Sequence, residues 1–212
     1  MTKPKTEEAT APPKRRYHGG IQAEVAALTH QRILDAMLAL AEEQWLDQIT
    51  LDQVAARAGV TVQTVIRHFG TKEHLFAAAG QEAHQRAKQQ RDEAPVADIA
   101  GAVRNLMDHY EDVGRRVLRV LAQEERYPAL KPLLDAGRTA HRSWVERTFA
   151  PFLAQHEEPT RAHLLAQLVA VTDVYIWKLL RHDNHLSTGQ TERALQDMLT
   201  ALLQCGTPAS HS

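Results

Sequence analysis

The sequence has little cysteine, few aromatic residues and almost no net charge. Its single cysteine, Cys205, excludes an internal disulfide and a zinc site made of cysteines. Aromatic residues make up 5% of the 212 residues and long alternating runs of Val, Ile, Thr and Tyr are absent, so the composition favours helices over strands. A net charge of -1 indicates no general affinity for nucleic acid, but phosphate binding requires only a local basic patch.

Export and membrane insertion are not expected from this sequence. Residues 1–10 are polar and charged, unlike a signal peptide. The most apolar stretch, residues 164–180, contains polar and charged side chains and is too polar and too short to cross a bilayer. The sequence therefore predicts a soluble, cytoplasmic protein with no membrane partner.

Proline, glycine and capping residues divide the chain into four expected regions and an all-α fold of about nine helices. Residues 1–28 carry a basic cluster among several Pro and Gly, which predicts a disordered arm that is either a solvated tail or a loose DNA contact. Residues 29–75 form a first domain, residues 76–205 a second domain, and residues 206–212 a short tail. Within the second domain, Gly114 is expected to interrupt a helix.

Residues 51–69 predict two short helices joined by a tight glycine turn. Thr50 and Gln53 have the spacing of a capping box, which starts the first of these helices. Gly59 tolerates the left-handed backbone of the turn, and Ala55 is small enough for two helices to cross closely. This pattern is typical of a helix-turn-helix, whose second helix projects into the major groove of DNA.

An ordinary helical hairpin within a core is the alternative. The expected outer face of the third helix argues against a core hairpin, because polar and apolar side chains alternate on it. These side chains are Val62, Gln63, Ile66 and Arg67. Arginine can bind guanine with two hydrogen bonds, and glutamine can bind adenine in the same way. The face therefore favours a helix that contacts base edges.

Residues 29–79 resemble the TetR family of regulators. The resemblance rests on TxxRILDA in the first helix and on TLDQVAARAGVTVQTVIRHFGTKEHLFAA after it. The closing VYIWKLLRHDNHLSTGQTERALQDMLTALL is also similar to the last two helices of many members. The resemblance implies a three-helix DNA-binding unit, a linking fourth helix, and a larger helical domain that binds small molecules and dimerises.

The resemblance also implies which residues contact DNA. Nine positions match the contacts of the family: Thr50, Thr61, Val62, Gln63, Thr64, Ile66, Arg67, His68 and Lys72. Family members usually carry aromatic residues where this chain has Ile66 and Arg67. We therefore expect Arg67 to replace an aromatic phosphate contact with a charged contact or with a guanine contact.

Two apolar segments near the end of the chain predict a homodimer. Residues 160–182 are apolar on several faces, and residues 190–204 carry a clean apolar stripe. Both segments cannot be covered inside one small domain, so we expect them to pair with their copies in a four-helix interface. The alternative is that they close the core of the monomer.

A small-molecule pocket in the second domain is implied by the resemblance. The candidates are polar or aromatic residues on apolar stripes, and for each of them the alternative is a core residue with a satisfied polar atom. They are Met107, Tyr110, His141, Trp144 and Trp177. Isolated pairs such as His182 and His185 are too few to predict a metal site, and no cofactor is expected.

We therefore expect a ligand-responsive repressor that binds a palindromic operator as a homodimer and is released by a small molecule. Ligand binding would tilt the fourth helix and change the separation of the two DNA-binding units. A nucleophile elbow, a phosphate-binding glycine loop and the HExxH motif are absent, so no catalytic residue is predicted. The alternative is a helical dimeric interaction or sensor protein that binds no specific DNA sequence.

Overall fold

All regular elements that the structure describes are helices. The structure is a computed structural model that describes residues 16–205, with the side chains of residues 22–128 and 130–204. The predicted all-α fold is thus confirmed, and about nine helices is close to the ten α-helical segments of the described range. The predicted tail, residues 206–212, lies outside the described residues.

The first four helices build the N-terminal unit. Helices α1 and α4 are long, and α2 and α3 have eight residues each. Their bounds are Arg16–Glu43 for α1, Leu51–Ala58 for α2, Val62–Phe69 for α3 and Lys72–Asp92 for α4. Helix α1 packs against α2 and α4, and its buried Ile33 and Met37 lie at the centre of a first apolar core.

The remaining helices build the second unit around a second apolar core. A 3-10 turn precedes α6, and a π turn at Leu179–Asp183 follows α9. The helices are α5 (Ile99–Leu121), α6 (Lys131–Thr148), α7 (Ala150–Leu153), α8 (Thr160–Val171), α9 (Val174–Lys178) and α10 (Thr188–Cys205). The stripe predicted near the end of the chain supplies Leu195, Leu199 and Leu203 to this core.

Helix α4 belongs to both units. Leu75 and Ala79, in its first half, are fully buried in the first core. Its second half packs against α5 and α6, and its last turn buries Arg91. The predicted role of the fourth helix as a link between the two units is therefore visible in how it packs.

Helix α1 begins earlier than expected. It starts at Arg16 rather than near Thr29, so the expectation that residues 16–28 belong to a disordered arm is wrong. Residues 22–28 are exposed, and their Ala, Gln, Glu and Leu side chains are good helix formers that extend a helix already nucleated by the buried turns. The rest of the predicted arm, residues 1–15, lies outside the described residues.

Gly114 does not interrupt α5, which is continuous through it. Gly114 is buried against the indole ring of Trp177, and a Cβ atom at this position would lie 2.6 Å from Cζ3 of that ring. The glycine therefore permits a close approach between α5 and α9 and does not end a helix.

The apolar segment 160–182 is divided into two helices. Helix α8 ends at Val171, and the carboxylate of Asp173 accepts a hydrogen bond of 2.9 Å from the backbone N–H of Tyr175 to start α9. By length and composition alone Thr160–Asp183 could cross a membrane, contrary to our expectation, and 33% of it is buried inside the protein. Leu168 and Trp177 are among the residues that it contributes to the second core.

The contact between Gly114 and Trp177 predicts a specific sensitivity to added volume. Gly114→Ala should destabilise the protein by about 1–3 kcal/mol, because the added Cβ would overlap the buried Trp177 ring, which must shift to make room for it. Gly137→Ala is the matched control, since Gly137 lies exposed in α6 with nothing within 4 Å of an added Cβ. Gly137→Ala should raise the free energy of unfolding by up to about 1 kcal/mol. Urea denaturation of both variants measures the change in this free energy relative to the wild type. Equal effects of the two substitutions would contradict the proposed tight packing.

Candidate nucleic-acid interface and regulatory core

Helix α2 starts with the predicted capping box. The backbone N–H of Gln53 donates to the hydroxyl of Thr50 at 3.2 Å, and the side-chain oxygen of Gln53 accepts from the backbone N–H of Thr50 at 2.8 Å. Thr50 is exposed at the positive end of the helix dipole. Its position thus suits an anionic partner.

The turn between α2 and α3 has the predicted left-handed glycine. Gly59 has φ 65°, and the N–H of Val60 donates to the carbonyl of Ala55 at 2.9 Å. Ala55 and Val65 are buried where the two helices meet. The two helices therefore adopt the helix-turn-helix arrangement that the sequence predicts.

Arg32 of α1 holds this turn in place, a role that the sequence did not reveal. Its guanidinium donates hydrogen bonds to the carbonyls of Ala58 and Gly59. A Cβ on Gly59 would lie 2.6 Å from Nη2 of Arg32, so the glycine is required both for the backbone angle and for this contact. The partners are 26 residues apart, and no local pattern connects them.

Helix α3 carries the exposed face. Thr61 caps it, because its hydroxyl accepts from the N–H of Thr64 at 3.2 Å. Val65 is the buried residue of this helix, whereas Gln63 and Arg67 are exposed and Ile66 is 40% exposed. The side chain of Arg67 forms no ion pair with any residue that the structure describes, which leaves its charge free for an external anion.

Arg57, unlike Arg67, is held in an ion pair. Its guanidinium makes two hydrogen bonds of 2.7 and 2.6 Å to the carboxylate of Glu43. This carboxylate raises the pKa of Arg57, and the hydrogen bond from Arg57 lowers the pKa of Glu43. Arg57 therefore ties α2 to α1, and α3 presents the free guanidinium.

His68 and Lys72 are partly withdrawn from solvent. The ring of His68 lies 5.8 Å from that of His30, and burial together with the charges of His30 and Arg67 lowers the pKa of His68. The ammonium of Lys72 donates to the carbonyls of Leu46 and Ile49 at 3.1 and 3.0 Å. Lys72 therefore attaches the first turn of α4 to the loop between α1 and α2.

The nine residues expected at DNA thus differ in exposure. Thr50, Thr61, Gln63, Ile66 and Arg67 are exposed. The other four, Val62, Thr64, His68 and Lys72, are half-buried. All nine lie on α2, α3 or the adjoining ends of these helices and of α4.

Comparison with known proteins agrees with this geometry. Residues 33–79 match the family of bacterial regulatory proteins called tetR. The matched segment contains α2, α3 and the turn between them, so the N-terminal unit has the helix-turn-helix of a tetR-type bacterial regulatory protein. No curated protein matches the chain in sequence.

Solved structures of transcriptional regulators share the fold of this chain. A transcriptional regulator from Rhodococcus sp. Rha1 has a TM-score of 0.66 at 22% identity, over 83% of this chain and 96% of its own. A tetR-family transcriptional regulator from Streptomyces coelicolor has a TM-score of 0.61 at 17% identity, over 84% of this chain and 81% of its own. The multidrug binding protein EbrR, complexed with imidazole, has a TM-score of 0.57 at 23% identity, over 86% of this chain and 91% of its own. At these identities the likeness establishes the fold.

The second unit of the chain gathers the five residues that the sequence suggested for a ligand. Met107, Tyr110, His141, Trp144 and Trp177 are all buried, and four of the five belong to the second apolar core. His141 joins them through its ring, which is stacked at 6.0 Å on that of Trp144. The structure thus brings them together in one region.

Most polar atoms of these side chains have a partner within the core. The Tyr110 hydroxyl donates to the carbonyl of Thr172 at 2.9 Å, and the Trp177 indole N–H donates to the carboxylate of Glu111 at 3.2 Å. The indole N–H of Trp144 is buried and has no hydrogen-bond partner among the described residues. Tyr110 and Trp177 therefore fit the expectation of satisfied core residues, and Trp144 does not.

Arg91 was not expected in this core. It extends from the last turn of α4, and its guanidinium donates to Nδ1 of His141 at 2.9 Å. The guanidinium also lies over the indole ring of Trp144, 4.4 Å from its centroid. In the sequence, Arg91 stands in a polar run that is typical of an exposed helix end, so only the tertiary structure reveals it.

Two histidines beside Arg91 are held neutral. Burial and then the charge of Arg91 lower the pKa of His109 to about 3 and that of His141 to about 4. The Nε2 of His141 lies 3.2 Å from the carbonyl of Val169, so this nitrogen carries the proton and Nδ1 accepts from Arg91. The described residues contain no group of three potential metal ligands at this place or elsewhere.

These pKa values predict how stability depends on pH. In the unfolded chain both histidines become protonated as the pH falls below about 6.5, whereas in the folded chain they stay neutral until about 4 and 3. The free energy of unfolding should therefore fall as pH is lowered from 6.5 to 5, by up to about 1.4 kcal/mol per pH unit for each histidine. His109→Leu removes the contribution of one histidine, so the free energy of unfolding of this variant should fall less steeply with decreasing pH, by up to about 1.4 kcal/mol per pH unit.

Denaturant titrations at several pH values measure this dependence. Identical slopes of unfolding free energy against pH for wild type and variant would disprove the lowered pKa of His109.

Proposed function

We propose that this chain is a TetR-family, ligand-responsive repressor that binds a palindromic operator as a homodimer and is released by a small molecule. The observation that carries the proposal is the exposed face of α3, with Gln63, Ile66 and a free Arg67. Ile66 is 40% exposed and stands between two polar side chains that can bind bases, and such a mixed face suits a major groove.

The proposed DNA contacts follow the position of each residue. The exposed hydroxyls of Thr50 and Thr61 lie at helix starts, where free N–H groups favour phosphate. Gln63 and Arg67 offer base or phosphate contacts, and Ile66 offers an apolar contact to a thymine methyl group. The half-buried members of the proposed set, Val62, Thr64, His68 and Lys72, position the helix and approach the backbone.

Dimerisation is proposed through residues 160–182 and 190–204. Tyr175 is 51% exposed and Leu179 is 47% exposed, and both lie in the first of these segments. Met198 and Leu202 on α10 are half-buried. The exposed apolar side chains of the first segment and the half-buried ones of α10 suit a four-helix interface with a second copy. A dimer is also what one short recognition helix requires, because two half-sites supply the specificity that one lacks.

Ligand release is proposed to act through α4. The small molecule would contact the second core, where Met107, Tyr110, His141, Trp144 and Trp177 lie together. Helix α4 joins this core to the helix-turn-helix, so a shift of its second half changes the position of its first turn. The structural neighbour EbrR is a multidrug binding protein that was solved with imidazole, which is consistent with a small-molecule role for this architecture. The proposal includes no catalytic residue and no cofactor, and a regulator of this kind acts at the chromosome, in the cytoplasm.

Selection from random duplex DNA tests sequence-specific binding, and Arg67→Ala tests the free guanidinium. We expect a palindrome to be enriched and its affinity to fall steeply with salt. Arg67→Ala should weaken binding by on the order of 10-fold or more, because each half-site loses a charged contact. Fluorescence anisotropy at several salt concentrations measures the DNA affinity of the wild type and of Arg67→Ala. A uniform loss on all sequences indicates a phosphate contact, and a loss of base preference at one position indicates guanine.

Arg104→Ala is the matched control, because Arg104 is an exposed arginine of α5 with no ion pair to any described residue. Its DNA affinity should equal that of the wild type. Unchanged affinity of Arg67→Ala on every sequence would refute the role of Arg67. Weak, sequence-blind binding by the wild type would favour the interaction or sensor protein instead.

The proposed interface predicts a charge-sensitive dimer. The double variant Tyr175→Glu, Leu179→Glu should sediment as a monomer at micromolar concentration, because burying two unpaired carboxylates in an apolar interface is costly. Val96→Glu is the control, since Val96 is 59% exposed but lies outside both proposed segments. Sedimentation velocity separates the outcomes. A wild type that is monomeric, or a double variant that stays dimeric, would contradict this interface.

A further inference from the structure

The second core buries a cation without an anion. Arg91 is 9% exposed, and no carboxylate lies at ion-pair distance from its guanidinium among the side chains that the structure describes. Its neighbours on α4 and α6 do not help, because Asp92 is paired with Arg147 at 2.6 Å. A buried arginine of this kind is costly, since the loss of hydration is not offset by a partner charge.

The groups around Arg91 leave its hydrogen-bonding capacity incomplete. His141 accepts one hydrogen bond from Nη2, and the Tyr110 phenol interacts with the guanidinium as well. The Nε–H of Arg91 is buried and has no hydrogen-bond partner among the described residues, and the same holds for the indole N–H of Trp144, on which the guanidinium is stacked. Two orphan donors thus lie together in one core, beside a positive charge, and what they lack is an anionic acceptor.

The residues around Arg91 indicate the chemistry of the ligand beyond its anionic group. Met107, Trp144 and Val145 are almost completely buried in the same core, so a ligand here must be mostly apolar. His109 and His141 are neutral at pH 7, so neither imidazole competes with Arg91 for an anion. Asp173 is the carboxylate that acts on the charge of Arg91 from a longer distance, and it is engaged in capping α9.

We propose that the ligand of this chain is an apolar carboxylic acid whose carboxylate pairs with Arg91 and accepts from the orphan donors beside it. This inference rests on the proposed function, since it specifies the chemical class of the releasing molecule. A carboxylate matches the planar guanidinium with two parallel hydrogen bonds, and burial strengthens such a pair. An amine or a neutral amide would leave the charge uncompensated.

A groove of about 440 Å³ lies between α1, α4 and α5. Its lining includes Gln90, which precedes Arg91, and His109, but Arg91 itself does not line it. The charge of Arg91 lowers the pKa of His109, which places the two side chains near one another. A ligand entering along this groove would have to displace side chains to reach the guanidinium.

The position of Arg91 also explains how an acid would act on DNA binding. Helix α4 has 21 residues and a length of about 31 Å at 1.5 Å per residue. Lys72 attaches its first turn to the loop before α2, and Arg91 lies in its last turn. A carboxylate that pulls on Arg91 therefore acts directly on the helix that supports the helix-turn-helix.

The test uses sodium salts of acetate, butyrate, hexanoate, octanoate and benzoate, with the corresponding amides at equal ionic strength as controls. We expect at least one of the longer acids or benzoate to raise the Tm of the full chain by about 3 °C or more at millimolar concentration. The same acid should change the tryptophan fluorescence, because Trp144 is stacked on Arg91. The amides should do neither. If no acid of the panel stabilises the chain more than its amide, the proposal is overturned.

Variants assign the effect to Arg91. In Arg91→Met the stabilisation by acid should disappear, while the Tm without acid should stay the same or rise, because a buried unpaired charge is replaced by an apolar side chain of similar length. If that variant does not fold, Arg91→Lys retains the charge, and the acid should bind it about 10-fold more weakly because the planar two-bond geometry is lost. Arg104→Met, at an exposed arginine, should keep the full response. An acid response that survives in both Arg91 variants at wild-type strength would disprove the site.

The outcome for DNA is measured separately. The acid that stabilises the wild type should reduce its affinity for the selected operator, and its amide should not. Acid binding with unchanged operator affinity would support the carboxylate site but refute release by this ligand. Specific operator binding with no response to any acid would support the regulator but refute the carboxylate site.

Discussion

The packing of α4 in two cores is the constraint on which the rest of this structure depends. Leu75 and Ala79 bury one end of the helix beneath α1, and Arg91 enters the second core at the other end. A rigid shift of α4 would therefore displace side chains in both cores. The groove of about 440 Å³ between α1, α4 and α5 lies beside this helix.

Local signals allowed much of the helix-turn-helix to be predicted from the sequence. The capping box at Thr50 and the left-handed turn at Gly59 each depend on residues within a few positions, so their chemistry is visible in the chain itself. The contacts that fix the unit from outside could not be predicted. Arg32 and Lys72 donate to carbonyls that are 26 residues away in both cases, and no spacing rule connects such partners.

The second unit was less predictable because one residue type has several uses. A glycine inside a helical pattern is typical of an interruption, yet Gly114 makes room for an indole ring from a helix far along the chain. A charged residue in a polar run is typical of a solvated surface, yet Arg91 is buried. Both differences arise from tertiary packing, which can override local preference. Overall charge was equally uninformative, since surface pairs such as Arg57 with Glu43 account for charges that have no part in recognition.

Helix α1 contains a buried segment and an exposed segment. Its second half carries Ile33 and Met37 into the core, so amide hydrogens there exchange with solvent only when the whole unit opens. Residues 22–28 of the same helix are exposed, so helical propensity rather than burial stabilises them, and their amide hydrogens should exchange faster. A single uninterrupted helix thus contains a boundary between slow and fast exchange, and that boundary lies where α2 and α4 cease to cover it.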